Sequence, residues 1–437
     1  MSSEASPLTS GMNASDTNAQ ACARLRAVMA LATLTMLVLS WPLWVESDAF
    51  PRVPFLNGIP SFPAPLAWGL FGFVIIALLA VAAELCWRVL ISATFAVLLL
   101  LVLQDQGRFQ PWIYQFFVVG LLLASLPSAA SLRLIRWWYI SVYLHSGLSK
   151  LDISFVNELG SLFLDTAVRP FGLVWQSWSD SVRVATILAM PLTEIAIALA
   201  LALPATRRFG MAGAMLLHAA LLGILGPFGL RHSTIVLVWN AAMMVEVFCI
   251  FNPDWPPVLR VNQRPGRLFV ERLVQGALVV ALVLPVGERW GWIDAWPAHA
   301  LYASHVGKTE VYLHETEIDD WPEGIRNHLQ RTTLSAWRRL DLTGWSREVR
   351  GVPVYPQSRT CNGLAEALAA RYGGRRLVRI LQWGPADRWT GVRSRTEKFG
   401  LDAIRIQGDQ FRLNAHPAGA FLQAEDVGER DQGRPAT

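Results

Sequence analysis

A chain of 437 residues is long enough for two or three ordinary soluble domains, but 53% hydrophobic against 16% charged residues excludes that class and makes the bilayer the expected solvent. The net charge of +5 is spread along the chain rather than gathered in one patch, so nucleic acid is not an expected partner. Cys22, Cys86, Cys249 and Cys361 are far apart and offer neither a disulfide framework nor a CxxC motif.

The first 24 residues are polar, with no basic residue before Arg24, and so lack the basic start of a signal peptide. They read as a disordered cytosolic tail, on which the Asn13 sequon carries little weight. Residues 25–288 then read as a membrane domain. Apolar windows near the length that crosses about 30 Å of hydrocarbon fall at 27–45, 66–84, 86–103, 111–127, 133–150, 183–204, 210–228, 232–251 and 269–287. The fold expected is a membrane all-α bundle of about nine spans with a small C-terminal α/β domain outside the membrane. The Pro- and Gly-rich stretch Pro51–Pro65 between the first two spans suits an extended loop at the outer interface.

A cytoplasmic N-terminus puts Arg24, Arg26, Arg88, Arg133, Arg136, Arg207, Arg208, Arg260, Arg264 and Arg267 inside. Arg52, Arg108, Arg169, Arg183 and Arg231 then lie outside, with Lys150 at an outer helix end. The inner excess favours this orientation, and an odd number of spans leaves the C-terminal domain extracytoplasmic. That domain, 289–418, is rich in charge and histidine. Strand-like alternation appears in TEVYLHE (309–315), RLVRILQW (376–383) and AIRIQGDQFRLNA (403–415), and helical spacing with a glycine stop in CNGLAEALAARYGG (361–374). Residues 419–437 read as a disordered tail.

Ionisable groups inside lipid are costly and mark candidate sites. Here they are Glu84, His145, Lys150, Glu194, His218 and Glu246, with the amides Asn240 and Asn252. Tyr139, Tyr143, Ser146 or Gly147, and Lys150 recur at three- and four-residue spacing and share one helix face. Such a polar stripe suits a small site, and partial burial favours the neutral amine that can act as a base. The plainer reading is that Lys150 snorkels beside Asp152 and that the tyrosines form an aromatic belt. Glu194 is too deep to snorkel and serves either as a protonated packing group or as an orienter of a base. His218 reads as a packing histidine or a site residue. His145 is turned away from the stripe. Glu84 and Glu246 sit near span ends, where solvated carboxylates are expected, and His305 and His314 read as surface residues without metal-ligand spacing. HExxH, P-loop and GxSxG patterns are absent.

Three stretches, SGLSKLDISFVNELG (Ser146–Gly160), LTEIAIALALALPATRRFG (Leu192–Gly210) and LLHAALLGILGPFGL (Leu216–Leu230), follow one another in an order and spacing that resemble the vitamin K-dependent gamma-carboxylase family. The resemblance is to its wider membrane unit, the horizontally transferred transmembrane (HTTM) domain, over roughly residues 20–290. It implies a catalytic set of Lys150 as base with Glu194 and His218 in support, and Tyr143, Ser146 and Gly147 around a reduced naphthoquinone, a vitamin K-like hydroquinone, with no metal. In the reaction it implies, oxidation of the quinol to an epoxide yields a strong base that removes a gamma proton from a glutamate of a protein or peptide substrate on the outer face. Carbon dioxide then adds, which is a lyase-class carboxylation. Phe155 stands where the family pattern often has Trp, and the outer domain is too short to match the family's larger lumenal part. Two other readings stay open: a quinone-linked redox helper of the DoxX or MauE kind, and a non-enzymatic scaffold whose outer domain binds a partner.

Overall fold

The structure, a computed structural model, describes residues 14–45, 49–252, 268–332, 336–372 and 377–419. All nine expected spans are helices: α1 (Ala14–Leu39), α3 (Ala64–Ala82), α4 (Trp87–Gln104), α5 (Pro111–Ser125), α6 (Ser128–Ser149), α9 (Asp180–Ala202), α10 (Arg207–Leu225), α11 (Thr234–Phe251) and α12 (Leu268–Val283). The short helices α2 (Trp41–Trp44), α7 (Ile153–Asn157) and α8 (Leu159–Val168) lie between them. Seven of the nine are long and apolar enough to cross a bilayer, α12 together with its helical continuation as Glu271–Trp290, as in a multi-pass membrane protein.

The other two differ for separate reasons. Helix α5 has 15 residues and spans only about 22 Å at 1.5 Å per residue. Helix α6 has the length but is polar, and it packs against α1, α5, α9, α11 and α12. Much of its surface is covered by protein, although Trp137 and Leu148 are exposed, so its polar side chains can find partners.

The N-terminal expectation needs correction. Residues 14–24, assigned to a disordered tail, are the first turns of α1, and Ala21, Cys22 and Leu25 are buried in the membrane core. The helix then stops at Leu39 instead of running to residue 45, and α2 follows with Pro42 in its first turn. The two tails beyond 14 and 419, with the Asn13 sequon, the glycine stop at 373–374 and Arg260, Arg264 and Arg267, lie outside the described residues.

The C-terminal unit holds a five-stranded antiparallel sheet in the order β2-β3-β1-β4-β5, from β1 (Lys308–His314), β2 (Leu329–Arg331), β3 (Trp337–Leu340), β4 (Val378–Trp383) and β5 (Arg395–Phe399). In β1, Val311 and Leu313 alternate inward and meet Val378 and Ile380 of β4. They pack on Leu364 and Leu368 of α15 (Ser358–Arg371), which follows α13 (Glu323–Arg326) and α14 (Leu342–Arg350). The strands expected at 309–315 and 376–383 and the helix at 361–374 match these elements. The strand expected at 403–415 does not form: Gly400–Gly408 is the helix α16, with Leu401 and Ile404 buried and Ile406 exposed, and the rest is turn. A short apolar run fits either period, and here the i, i+3 pair wins.

The Pro51–Pro65 loop is irregular as expected, yet it is a joint. Val53 is fully buried, and Phe55 makes edge contacts with Phe109 on the membrane side and Tyr355 on the sheet side.

Candidate functional site

Four helices bring the polar residues together. Helix α6 ends at Lys150, where Asp152 turns the chain and caps α7 by accepting from Phe155 N–H at 2.8 Å. Helix α9 crosses α6 closely at Gly147, where a Cβ would come within 2.7 Å of Pro191 O and Ile195 Cγ1. Gly147 is therefore a crossing point, and it packs against α9 instead of lining the cavity described below.

The crossing places Glu194 beside Lys150. The ammonium Nζ donates to Glu194 Oε1 at 3.0 Å and Oε2 at 2.9 Å, to Ser146 Oγ at 2.7 Å and to Ser146 O at 3.1 Å. Lys150 is 3% exposed and Glu194 9%. Lys150 thus turns inward to a buried carboxylate, and the anchor reading with Asp152 as partner is corrected. Asp152 instead accepts from Arg289 at 2.8 Å.

One turn deeper, Tyr143 O–H lies 2.8 Å from His218 Nε2, and His218 Nδ1 lies 2.9 Å from Asn240 Oδ1. Asn240 Nδ2 donates to Val236 O at 2.8 Å, so its oxygen must face the histidine. That assigns the proton to Nδ1 and makes Nε2 the acceptor of the Tyr143 hydroxyl. Tyr143 keeps its oxygen lone pairs for another donor.

Lys150, Ser146, Glu194, Tyr143, His218 and Asn240 all line one cavity of about 430 Å³, the size of a small-molecule site. Apart from Thr193, the rest of its wall is apolar or aromatic, with Phe155, Phe163, Met190, Met243 and Leu301. Leu216, 71% exposed, and Thr193 also line it, so the cavity reaches the outer flank of the bundle between α9 and α10. Tyr302 covers it from the loop after α12 and packs on Phe163 and His232.

Several expectations on single residues change. Glu246, read as solvated, is 1% exposed and bonded to Tyr139 at 2.6 Å and to Gln115. Glu84 is solvent-exposed as expected and pairs with Arg26. His145 faces away and meets Leu282 O at 3.0 Å. His305, read as a surface residue, is 1% exposed, with Nδ1 3.2 Å from Asp152 Oδ2 and Nε2 2.8 Å from Glu288 Oε2. Each ring nitrogen faces a carboxylate, so only the doubly protonated ring satisfies both. The missed residues Gln115, Trp239 and Tyr302 carry no sequence signal beyond their type.

This latch of His305 between two carboxylates sets an expected pH dependence. Burial disfavours charged His305, but the bonds to Asp152 and Glu288 outweigh it and hold the ring above its ordinary 6.5. Burial likewise raises the Asp152 carboxyl, and the His305 and Phe155 hydrogen bonds overcome it, leaving Asp152 below 3.8. His305 then stabilises fully below 6.5 and loses its contribution as pH rises through the raised value, whereas Asp152 contributes above 3.8 and fails as pH falls through the lowered one. Thermal unfolding should show the wild type losing stability between about pH 6 and 9 more steeply than His305→Gln. Parallel curves would remove the latch.

Compared with protein-family models, with curated proteins and with solved structures, the chain matches none.

Proposed function

We propose that this protein is a multi-pass membrane enzyme in which Lys150 is the base toward a lipid-soluble reduced naphthoquinone, the chemistry implied by the resemblance to the gamma-carboxylase family. The observation that carries the reading is the Lys150 amine, bound by both oxygens of Glu194, in the wall of a 430 Å³ apolar cavity. A cavity of that volume, polar at one end and open between α9 and α10, fits a bicyclic quinol with an apolar tail. The quinol supplies acidic hydroxyls and, with oxygen, the driving force for forming a strong base.

The residues divide the remaining work. An ammonium cannot act as a base, so its proton passes first to Glu194 over a 2.9 Å contact, leaving a neutral amine held by Ser146. Tyr143, whose hydrogen is committed to His218, accepts from one ligand hydroxyl and so orients the ligand with its other hydroxyl toward Lys150. His218, fixed by Asn240, keeps Tyr143 in that role. The apolar wall keeps water from the basic centre. The orientation with residues 289–418 outside the cytoplasm, and a glutamate-bearing protein or peptide as acceptor there, belong to the same proposal.

The test is epoxidation of a reduced naphthoquinone by purified protein in detergent or nanodiscs. Wild type should form the epoxide and Lys150→Ala should not, with folding of both confirmed by thermal unfolding. Absence of epoxide from folded wild type across several quinols would overturn the reading.

A further inference from the structure

A second group of buried polar residues lies outside the contacts used above. Glu246 on α11 is 1% exposed and, among the described residues, pairs with no cation. Its Oε2 accepts from Tyr139 O–H at 2.6 Å and from Gln115 Nε2. Gln115 Nε2 also donates to Tyr139 Oη at 3.1 Å, and Trp239 Nε1–H donates to Gln115 Oε1 at 2.7 Å. The indole fixes which end of the amide faces the carboxyl. A lone carboxylate in hydrocarbon is costly, and taking up a proton removes that cost.

The group adjoins the cavity in two ways. The Trp239 side chain belongs both to the cavity wall and to this network. Tyr139 and Tyr143 are four residues apart on the same face of α6, so the two phenols are neighbours along one helix stripe, one in the network and the other in the cavity wall.

We propose that Glu246, with Tyr139 and Gln115, forms a second acid–base centre that exchanges protons with the Lys150 cavity by way of the α6 tyrosines. For each proton leaving the cavity, the Tyr143 hydroxyl turns from His218, accepts that proton on its oxygen and passes its own toward Tyr139. Tyr139 accepts one on its oxygen and gives its own to Glu246 Oε2. The phenols are unchanged and the carboxylate becomes a carboxylic acid; the reverse steps return the proton. The arrangement stands on these contacts and does not depend on the quinol reading.

Infrared difference spectroscopy of the protein in lipid nanodiscs tests it. Wild type should show a carboxylic C=O band that shifts in heavy water and is lost in Glu246→Gln. Tyr139→Phe, which removes one donor, should move the same band and provides the assignment if Glu246→Gln fails to fold. Lys150→Met should shift the band through the change of charge in the cavity, and Tyr143→Phe should slow the rate at which the band follows a pH jump. A band assignable to Glu246 at no value between about pH 5 and 9, or one that Lys150→Met leaves in place, would overturn the proposal. Failure of epoxidation with the band behaving as stated would sink the quinol reading alone.

Discussion

Lys150→Met is expected to destabilise the folded protein by about 3–5 kcal/mol, the cost of leaving one member of a buried ion pair without its partner. The residue left behind is Glu194, 9% exposed, whose two oxygens both lose their donor, while Ser146 loses two more contacts. An interfacial lysine in contact with water would give less than about 1 kcal/mol on the same substitution. The double variant Lys150→Met/Glu194→Leu removes both charges and should recover most of the loss, because apolar replacements of buried pairs are often neutral or better. Thermal unfolding of wild type, both single variants and the double variant completes the cycle. A single-variant loss within about 1 kcal/mol of zero, or additive losses in the double, would mean that the pair is not buried together in the membrane. This result bears on structure alone and holds whether or not the protein turns over a quinol.

The spans were legible because lipid imposes one rule on every crossing helix, a long apolar run, and α3, α4 and α9 to α11 obey it almost residue for residue. Lys150 and Glu194 were legible as candidates for the same reason, since each stands against its apolar surroundings. Their meeting was not, because 44 residues separate them and only the close crossing at Gly147 joins them. Glu246 was misjudged because its position near a span end says nothing about what meets it, and Gln115 of α5 and Tyr139 of α6 do. His305 was misjudged likewise, since Asp152 is 153 residues away. At α16 the error was one of period, where two apolar residues fit a strand as well as a helix. An expectation of function came only from a resemblance carried by three short stretches. The geometry adds the cavity that they line.

Arg350→Met is expected to loosen the C-terminal unit from the membrane bundle at a cost of about 3–5 kcal/mol, an effect the sequence does not suggest. The turn between α4 and α5, Asp105–Gln110, is polar in sequence, yet Gln106, Gly107 and Arg108 are buried. Asp105, 1% exposed, caps this turn by accepting from Gly107 N–H at 2.9 Å and pairs with Arg350 at the end of α14. A Cβ on Gly107 would come within 2.9 Å of the Arg350 guanidinium, so the glycine makes room for the pair. Beside it, Gln106 accepts from Arg359 at 2.9 Å and Thr360 at 2.7 Å, while Arg359 also grips Asp294 at 2.7 Å. Both partners of the Asp105–Arg350 pair are shielded from water, so neither salt nor solvent replaces a lost guanidinium. Limited proteolysis and hydrogen exchange should show the sheet unit opening earlier in Arg350→Met. Arg339→Met, which breaks an exposed pair with Glu310, should change little. Equal behaviour of the two variants would mean that the docking rests on the aromatic contacts of Phe55, Phe109 and Tyr355 instead. Because Tyr302 covers the cavity from the segment that joins α12 to this unit, loss of docking should also loosen that cover, and the two can be followed in one exchange experiment.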